Sequence, residues 1–272
     1  MSGTSVRHSS AAAVSASPAT AATVMMRNMR VAVISDIHAN LAALEAVLRE
    51  IDVERPDELW CLGDLVGYGP RPNECTTAVA DRADLCLVGN HDLVALDVTA
   101  VAIDEFNDDA AAAARWTRER LAPEARTFLE RLSPEARRED VALFHASARD
   151  PVWEYVLDAE SALASIELAR APLVLVGHSH VALSIVLRED SLAGGLAPDA
   201  TTHDLRDGRW LLNPGSVGQP RDGDPRAAWL LLDLDAQHAE FRRVEYPVVD
   251  TQREIEAAGL PPALAERLAT GT

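Results

Sequence analysis

From Arg30 onward, short apolar runs rich in β-branched residues alternate with helical stretches, and this alternation is what most constrains the fold. Residues 30–35 (RVAVIS) predict a buried strand, and Asn40 then caps a helix that runs to about Ile51 with its apolar side chains on one face. The same order continues with predicted elements at Glu58–Leu62 (strand), Asn73–Ala80 (helix) and Asp84–Val88 (strand). Strands that alternate with helices in this way predict an α/β fold.

In the second half of the chain the predicted strands follow one another with short connections. They lie at Val141–His145, Leu173–Val176, Val181–Val186, Arg209–Leu212 and Arg226–Leu234, with one helix near residues 158–169. Alternation first and consecutive strands later predict two packed sheets whose outer faces carry helices. Between the halves, residues 105–131 predict two helices broken at Pro123, with Phe106 and Trp116 as packing anchors.

Polar side chains follow the predicted strands at their C-terminal ends. They are Asp36 and His38 after the first strand, Asp64 after the second, Asn90, His91 and Asp92 after the third, and His145, His178 and His180 at the next two. Because the carboxyl ends of strands in an open α/β sheet face one crevice, we expect these side chains to meet there. Carboxylate, amide and imidazole groups suit divalent Mn, Fe, Zn or Co. The remaining histidines, His8, His203 and His238, lie outside this pattern and are interpreted as surface residues.

The order D-x-H, G-D, G-N-H-D, H and G-H-x-H resembles the calcineurin-like metallophosphoesterase superfamily, from about residue 30 to residue 235. The resemblance implies a four-layer α/β/β/α sandwich with two divalent metal ions per chain. It places one metal on Asp36, His38, Asp64 and His180, and the second on Asp64, Asn90, His145 and His178. Asp64 would bridge the two ions.

The residues independently suit this role. A bridging carboxylate can hold two cations about 3.5 to 4 Å apart, and a bridging hydroxide can then attack a phosphorus in line with its leaving oxygen. A G-x-S-x-G nucleophile motif is absent from the sequence. We expect manganese. Iron, zinc, cobalt and nickel are alternatives, because oxygen and nitrogen ligands of this kind bind several similar divalent metals.

Two residues beside the ligands are candidates for acid catalysis. His91 is not a metal ligand in the family pattern, and an imidazole can protonate a departing alkoxide. Asp92 would orient His91 by pairing with its other ring nitrogen. The alternative interpretation makes Asp92 a helix N-terminal residue that binds backbone N–H groups. Asn90 is also a candidate for contact with substrate.

A late block, NPGSVGQPRDGDP, matches the bacterial branch of the superfamily. Arg221 in this block is the candidate for binding a substrate phosphate, because a guanidinium can bind two oxygens at once. The alternative is a surface salt bridge from Arg221 to Asp222 or Asp224.

The reaction class is better defined than the substrate. The leading hypothesis is a phosphodiesterase or phosphatase acting on small phosphoesters or nucleotides. Asymmetric dinucleoside polyphosphate hydrolases and protein Ser/Thr phosphatases are alternatives, although Tyr68 stands where the Ser/Thr phosphatases carry an Arg-Gly pair, and Arg71 is a weak substitute. A non-catalytic scaffold and a nuclease of the same fold are further alternatives. Tyr68, Trp153 and Tyr155 either form an aromatic wall for a nucleobase or pack beneath the helical insert.

Composition excludes several classes of protein. The net charge of −18 disfavours coating of long nucleic acid. All 25 basic residues are arginines, so a Schiff-base or P-loop lysine is excluded. Three cysteines without a paired spacing favour a reducing compartment and no disulfide, and no apolar run reaches the roughly 18 residues of a membrane span. We therefore expect a cytoplasmic enzyme with a small-molecule substrate and no membrane partner, of undetermined oligomeric state.

The predicted domain organisation has three parts. Residues 1–29 are expected to be a disordered tail, with a transit peptide or a true start at Met25, Met26 or Met29 as alternatives. Residues 30–250 form the metallophosphoesterase domain, with a helical insert at about 94–135. Residues 251–272 are expected to be a C-terminal helical segment, with a short terminal helix that starts at Pro261 and Pro262.

Overall fold

The computed structural model describes Met1 and residues 29–98 and 103–272. These residues form two six-stranded sheets. The first sheet contains, from edge to edge, β3 (Leu85–Cys86), β2 (Glu58–Cys61), β1 (Arg30–Ile34), β11 (Ala227–Asp233), β12 (His238–Val244) and β9 (Thr202–Asp204). The second contains β4 (Glu135–Arg138), β5 (Val141–Phe144), β6 (Leu173–Leu175), β10 (Arg209–Pro214), β7 (Ala182–Arg188) and β8 (Ser191–Leu196).

Eight α-helices and two 3-10 turns accompany the sheets in the described part of the chain. The helices are α1 (Leu41–Glu54), α2 (Pro72–Arg82), α3 (Asn90–Ala95), α4 (Asp108–Arg120), α5 (Pro123–Leu129), α6 (Ala159–Ala169), α7 (Val248–Ala257) and α8 (Pro262–Glu266). The 3-10 turns are Ile103–Glu105 and Arg267–Ala269. As predicted, Asn40 caps α1 by accepting from the backbone N–H of Ala43 at 3.2 Å. None of the described helices is long and apolar enough to cross a bilayer.

Alternating side chains in the strands build three apolar layers. In β1, Val31 and Val33 pack between the sheets with Trp60 and Phe241. Their neighbours on β1, Ala32 and Ile34, point to the opposite face and pack with α1 in an outer layer. The outer face of the second sheet packs against α6. The result is the predicted four-layer α/β/β/α sandwich.

Parallel pairing brings the functional loops to one edge of the sandwich. In the first sheet β1, β2 and β3 are parallel, and in the second β5, β6 and β10 are parallel. The polar blocks at the ends of these strands therefore face the same crevice from both sheets.

Several elements were not predicted. Strands β4, β8, β9 and β12 and helix α3 are absent from the sequence-based assignment, and the predicted strands differ from the observed ones by one to three residues at their ends. Helix α7 begins three residues before the predicted C-terminal helical segment of residues 251–272. The two insert helices are confirmed, with Pro123 as the first residue of α5. The C-terminal helix begins at Pro262, the second of the two predicted prolines, with Pro261 as its N-cap. The predictions for residues 2–28, including the tail and His8, lie outside the described residues, and the domain boundaries stay predictions.

The interpretation of His203 as a surface residue is only partly correct. Its ring is half-buried and lies 4.8 Å from the ring of Trp210, centroid to centroid. His238 is likewise only partly exposed. His203 lies on β9 and His238 on β12, and neither residue belongs to the polar blocks at the strand ends.

Candidate active site

The structure brings the residues of all five polar blocks together. Asp36 and His38 follow β1, Asp64 follows β2, Asn90 and His91 open α3, His145 follows β5, and His178 and His180 follow β6. All are buried, with none more than 5% exposed. Seven potential ligands thus lie in a pit formed by both sheets.

The backbone of this pit is unusual. Five of the seven predicted ligands have left-handed backbone conformations, which are costly for non-glycine residues: Asp36, His38, Asp64, His178 and His180, with φ between 49° and 62°. Such conformations persist only where surrounding structure enforces them, and they concentrate at functional sites. Here they turn successive side chains into the same pit.

The first group of donors contains Asp36, His38, Asp64 and His180. The Nδ1 atoms of His38 and His180 lie 3.1 and 2.6 Å from the backbone carbonyls of Val66 and Gln219, so each Nδ1 carries the proton. The unprotonated Nε2 atoms then face each other at 2.9 Å. Two lone pairs this close repel unless a cation or proton lies between them.

The second group contains Asp64, His145 and His178, with Asn90 beside them. His145 donates from Nδ1 to the Leu62 carbonyl at 2.8 Å, so its Nε2 lone pair faces the Asn90 Oδ1 at 3.1 Å and the Asp64 Oδ2 at 3.5 Å. His178 is held differently, because its Nε2 contacts the Trp153 carbonyl at 3.1 Å. The contacts of His145 Nε2 with Asn90 and Asp64 again place acceptors against acceptors, whereas His178 Nε2 donates to the Trp153 carbonyl.

The carboxylates complete the fit to metal ions. Asp36 Oδ1 and Asp64 Oδ2 are buried and have no hydrogen-bond partner among the described residues. Burial, together with the Asp64 charge, raises the pKa of Asp36 to about 7, and burial raises the pKa of Asp64 well above its usual value. Burial also lowers the pKa values of His38, His178 and His180. Cations would remove the cost of ionised carboxylates here, so the buried Asp/His cluster fits a binuclear metal site that shares Asp64.

The late NPGS block holds the ligand loops in place, a function that the sequence did not reveal. Asn213 donates to the Gly177 carbonyl at 2.7 Å and to the Ser179 hydroxyl at 3.0 Å. Ser216 donates to the Asp36 carbonyl at 2.7 Å. The backbone carbonyl of Gln219 orients His180, as described above. These residues hold the loops that carry Asp36, His178 and His180, whereas the sequence predicts a role in this block for Arg221 alone.

Asp92 does not pair with His91. Its two carboxylate oxygens accept from the backbone N–H groups of Val66 and Gly89, each at 3.0 Å. The predicted pairing is therefore corrected in favour of the alternative, in which Asp92 satisfies backbone donors near the start of α3. Among the described residues, no hydrogen bond joins Asp92 to the ring of His91.

His91 lies beside the pit, as its predicted role requires. Its backbone N–H donates to Asp64 Oδ1 at 2.9 Å, and its ring packs against Tyr68 and Phe106 with centroid separations of 4.3 and 4.4 Å. Its Nδ1 is buried without a hydrogen-bond partner. Burial, and next the neighbouring His38, lower the pKa of His91 well below its usual value. The negative charge of a phosphoester bound here would raise the pKa of His91.

Arg221 turns toward the pit and not toward either predicted acidic partner. Its Nη2 donates to the Tyr68 hydroxyl at 3.2 Å and to the Gln219 side chain at 2.9 Å. Asp222 pairs instead with Arg243, and Asp224 with Arg226. The surface salt bridge is therefore wrong, and contact between Arg221 and a phosphate stays a prediction. Arg71 lies at the surface in ion pairs with two glutamates.

The three aromatic residues have different environments. Tyr68 is buried against His38 and His91, and Trp153 packs edge-on against Phe106 of the insert, so both pack as the second interpretation expected. Tyr155 instead stacks on His178 at 4.0 Å and remains 47% exposed. One exposed aromatic face therefore borders the pit.

Comparisons with known proteins agree with this geometry. The model of the calcineurin-like phosphoesterase superfamily domain matches residues 29–237. An uncharacterised protein from Methanocaldococcus jannaschii is 36% identical over 252 residues, which cover 91% of this chain and all of that protein.

Solved structures give the same result. The crystal structure of a metallophosphoesterase from Sphaerobacter thermophilus is 42% identical with a TM-score of 0.80, and the match covers 90% of this chain and 99% of that one. A hypothetical protein from Pyrococcus horikoshii shares the fold, with a TM-score of 0.73 at 22% identity over 89% of this chain and 98% of that one. This chain belongs to the calcineurin-like phosphoesterase superfamily, and it is a phosphoesterase.

Proposed function

We propose that this phosphoesterase cleaves small phosphoesters, with phosphodiester or nucleotide substrates favoured, using two divalent cations held by seven residues. Asp36, His38, Asp64 and His180 would hold one cation. Asp64, Asn90, His145 and His178 would hold the other. Manganese is the proposed metal, with iron, zinc, cobalt or nickel as alternatives.

One observation carries the proposal. The lone pairs of His38 and His180 face each other at 2.9 Å, next to two buried carboxylate oxygens that lack partners. A structural core would leave such acceptors paired with donors. An arrangement with acceptors on every side is stabilised only by bound positive charge.

When bound, two such cations supply an activated water and neutralise charge on the phosphoryl oxygens. The chain itself provides the remaining functions. His91 donates a proton to the leaving oxygen, since its ring borders the pit. Arg221 binds and orients a phosphoryl oxygen. The backbone N–H of His91 holds Oδ1 of Asp64, which leaves Oδ2 free for the pit.

The test is hydrolysis of a chromogenic bis-aryl phosphate with manganese present. The wild-type protein should be active, and Asp64→Asn should lose nearly all activity because the shared carboxylate is removed. Asp207→Asn is the matched control, since Asp207 is exposed in the turn before β10 and its ion-pair partner among the described residues is Arg188 alone. Full activity in Asp64→Asn would exclude a shared carboxylate.

Other functions receive less support. A non-catalytic scaffold is disfavoured because all seven ligand residues and His91 are present and gathered. A protein Ser/Thr phosphatase is disfavoured because Tyr68 replaces the expected arginine. Arg221, from another loop, donates a hydrogen bond to the Tyr68 hydroxyl. Asymmetric dinucleoside polyphosphate hydrolysis stays an alternative, and the exposed face of Tyr155 could stack on a base. A panel of a monoester, cyclic nucleotides, a dinucleoside tetraphosphate and a phosphopeptide would separate these.

We also propose a reducing, cytoplasmic location. The three cysteines are free, and Cys61 and Cys75 are buried. Their state is typical of proteins kept under reducing conditions. The acidic balance of the chain further disfavours long nucleic acid as the substrate.

A further inference from the structure

Two guanidinium groups meet at one uncharged atom next to the metal site. Arg221 Nη2 and Arg267 Nη1 both donate to the side-chain oxygen of Gln219, at 2.9 and 3.3 Å. Gln219 is 2% exposed. The Nε of Arg221 is buried and has no hydrogen-bond partner in the part of the chain that the structure describes. Like charges that share a neutral acceptor repel each other, so the pair favours an anion nearby.

The acidic side chains close to these arginines have other partners or lie further away. Asp222 and Asp224 pair with Arg243 and Arg226, and neither Arg221 nor Arg267 forms an ion pair with an Asp or Glu side chain in the described part of the chain. Burial, and next the Arg221 charge, lower the pKa of Arg267. The pair thus brings two positive charges together without a direct Asp or Glu partner among the described residues, in a strongly acidic protein.

The two arginines come from different parts of the chain. Arg221 belongs to the block that orients His180, and its charge acts on Asp36, Asp64 and His91 in the pit. Arg267 follows α8, beyond the residues that match the family model, and its Nε contacts the Thr272 oxygen at 2.9 Å. Packing of Leu264 and Leu268 against Tyr68 holds the C-terminal segment in this place.

Arg267 also lines an open cleft of about 430 Å³ between the insert and the C-terminal segment. Asp109 and Glu266 line the same cleft and would repel an anion from it. An anion is therefore favoured at the contact of the two arginines with Gln219 and not beside these carboxylates.

We propose that Arg221 and Arg267 form an anion subsite next to the metal centre, which binds the second phosphate of a substrate with two or more linked phosphates. This inference rests on the proposed function and specifies its substrate class. The first phosphate would contact Arg221, whose guanidinium donates to Tyr68 beside His38 and His91. Contact with Arg267 requires a further phosphate group that extends outward from the first.

The test compares binding of methylenediphosphonate, which is not hydrolysed, with binding of inorganic phosphate. The affinity for each ligand is measured by isothermal titration calorimetry on the full chain, after it has been loaded with manganese and freed of excess metal. The variants are Arg267→Ala and Arg267→Gln, the latter retaining length and polarity. Arg253→Ala is the control, because Arg253 is exposed on α7 and has only a weak contact with Asp250.

Loss of one charge-assisted hydrogen bond to a ligand weakens its affinity by about tenfold or more. Both Arg267 variants should weaken diphosphonate binding by about that factor and leave phosphate binding unchanged, while Arg253→Ala changes neither. Equal effects on both ligands, or no effect on either, would overturn the subsite. Selective diphosphonate binding in a protein that hydrolyses no phosphoester would retain the subsite and refute the proposed function. Hydrolysis of phosphoesters by a protein that binds diphosphonate no differently in the Arg267 variants would retain the proposed function and refute the subsite.

Discussion

Gly89 lies where any side chain would collide with the shared carboxylate. A Cβ at this position would meet Asp64 Oδ1 and come within 2.6 Å of His145 Cε1. We expect Gly89→Ala to displace Asp64, lower manganese binding and destabilise the protein by about 1–3 kcal/mol through overpacking. Metal content and urea unfolding measure both effects.

The control for this change is Gly195→Ala on β8. A Cβ there has no atom within 4 Å, and its φ lies outside the left-handed region. This variant should match wild type in metal content. If Gly89→Ala also retained full metal content, the close packing around Asp64 would be unimportant for metal binding.

His91 should matter most when the leaving group is poor. Removing a general acid lowers rates by about 10²–10⁴-fold, and a leaving oxygen with a high pKa needs the proton more than a nitrophenolate does. We expect His91→Ala to reduce kcat for an alkyl phosphoester far more than for a nitrophenyl ester. His238→Ala on β12 is the control. Equal losses for both esters would contradict the proton-donor role.

At the residue level, the sequence predicted which side chains meet but not how they are held. Asp36, Asp64 and the histidines were found because each stands at the end of an apolar strand. The hydrogen bonds of Asp92 depend on the positions of Val66 and Gly89, which spacing does not reveal. Gln219 was missed for a similar reason, since both arginines reach it only after the C-terminal segment has folded back.

Among the elements, one buried ion pair links the two sheets. Arg243 on β12 pairs with Asp222, and Asp222 also accepts from the Ala182 N–H on β7 at 3.0 Å. Both side chains are less than 7% exposed. Because removing one partner leaves a buried charge, Arg243→Ala should lower the free energy of unfolding by about 3–5 kcal/mol.

Urea unfolding measures this loss. The control is Arg188→Ala, whose ion pair with Asp207 is exposed and should contribute under about 1 kcal/mol. A similar small change in Arg243→Ala would mean that the sheets do not depend on this link.

The same arginine explains one unpredicted strand. In β12 the inward positions are Ala239, Phe241 and Arg243, so a buried charge interrupts the apolar alternation that identifies strands. Edge strands β4 and β8 are mostly exposed and carry charges or glycines, which gives them no apolar pattern. Buried strands were predictable because both of their faces are apolar.

For the whole molecule, metal ions should add to stability. The pit buries two carboxylate oxygens without partners, and a ligand that binds only the folded state stabilises it by about 4 kcal/mol at a thousandfold excess over Kd. We expect a chelator to lower the thermal midpoint and manganese to restore it. Asp64→Asn should respond much less. A midpoint that does not change with chelator would contradict metal binding at this site.

The architecture as a whole was predictable because the order of strands and helices permits few arrangements. The position of the C-terminal segment was not, since its contacts with Tyr68 and the insert are distant in sequence.

The central claim is that Asp64 is shared by two cations, and metal analysis of purified protein tests it most directly. After manganese loading and removal of excess metal, the wild-type chain and Asp207→Asn should each retain two equivalents, and Asp64→Asn should retain fewer than two. A wild-type chain without bound metal, or an Asp64→Asn chain that still holds two equivalents, would contradict the account.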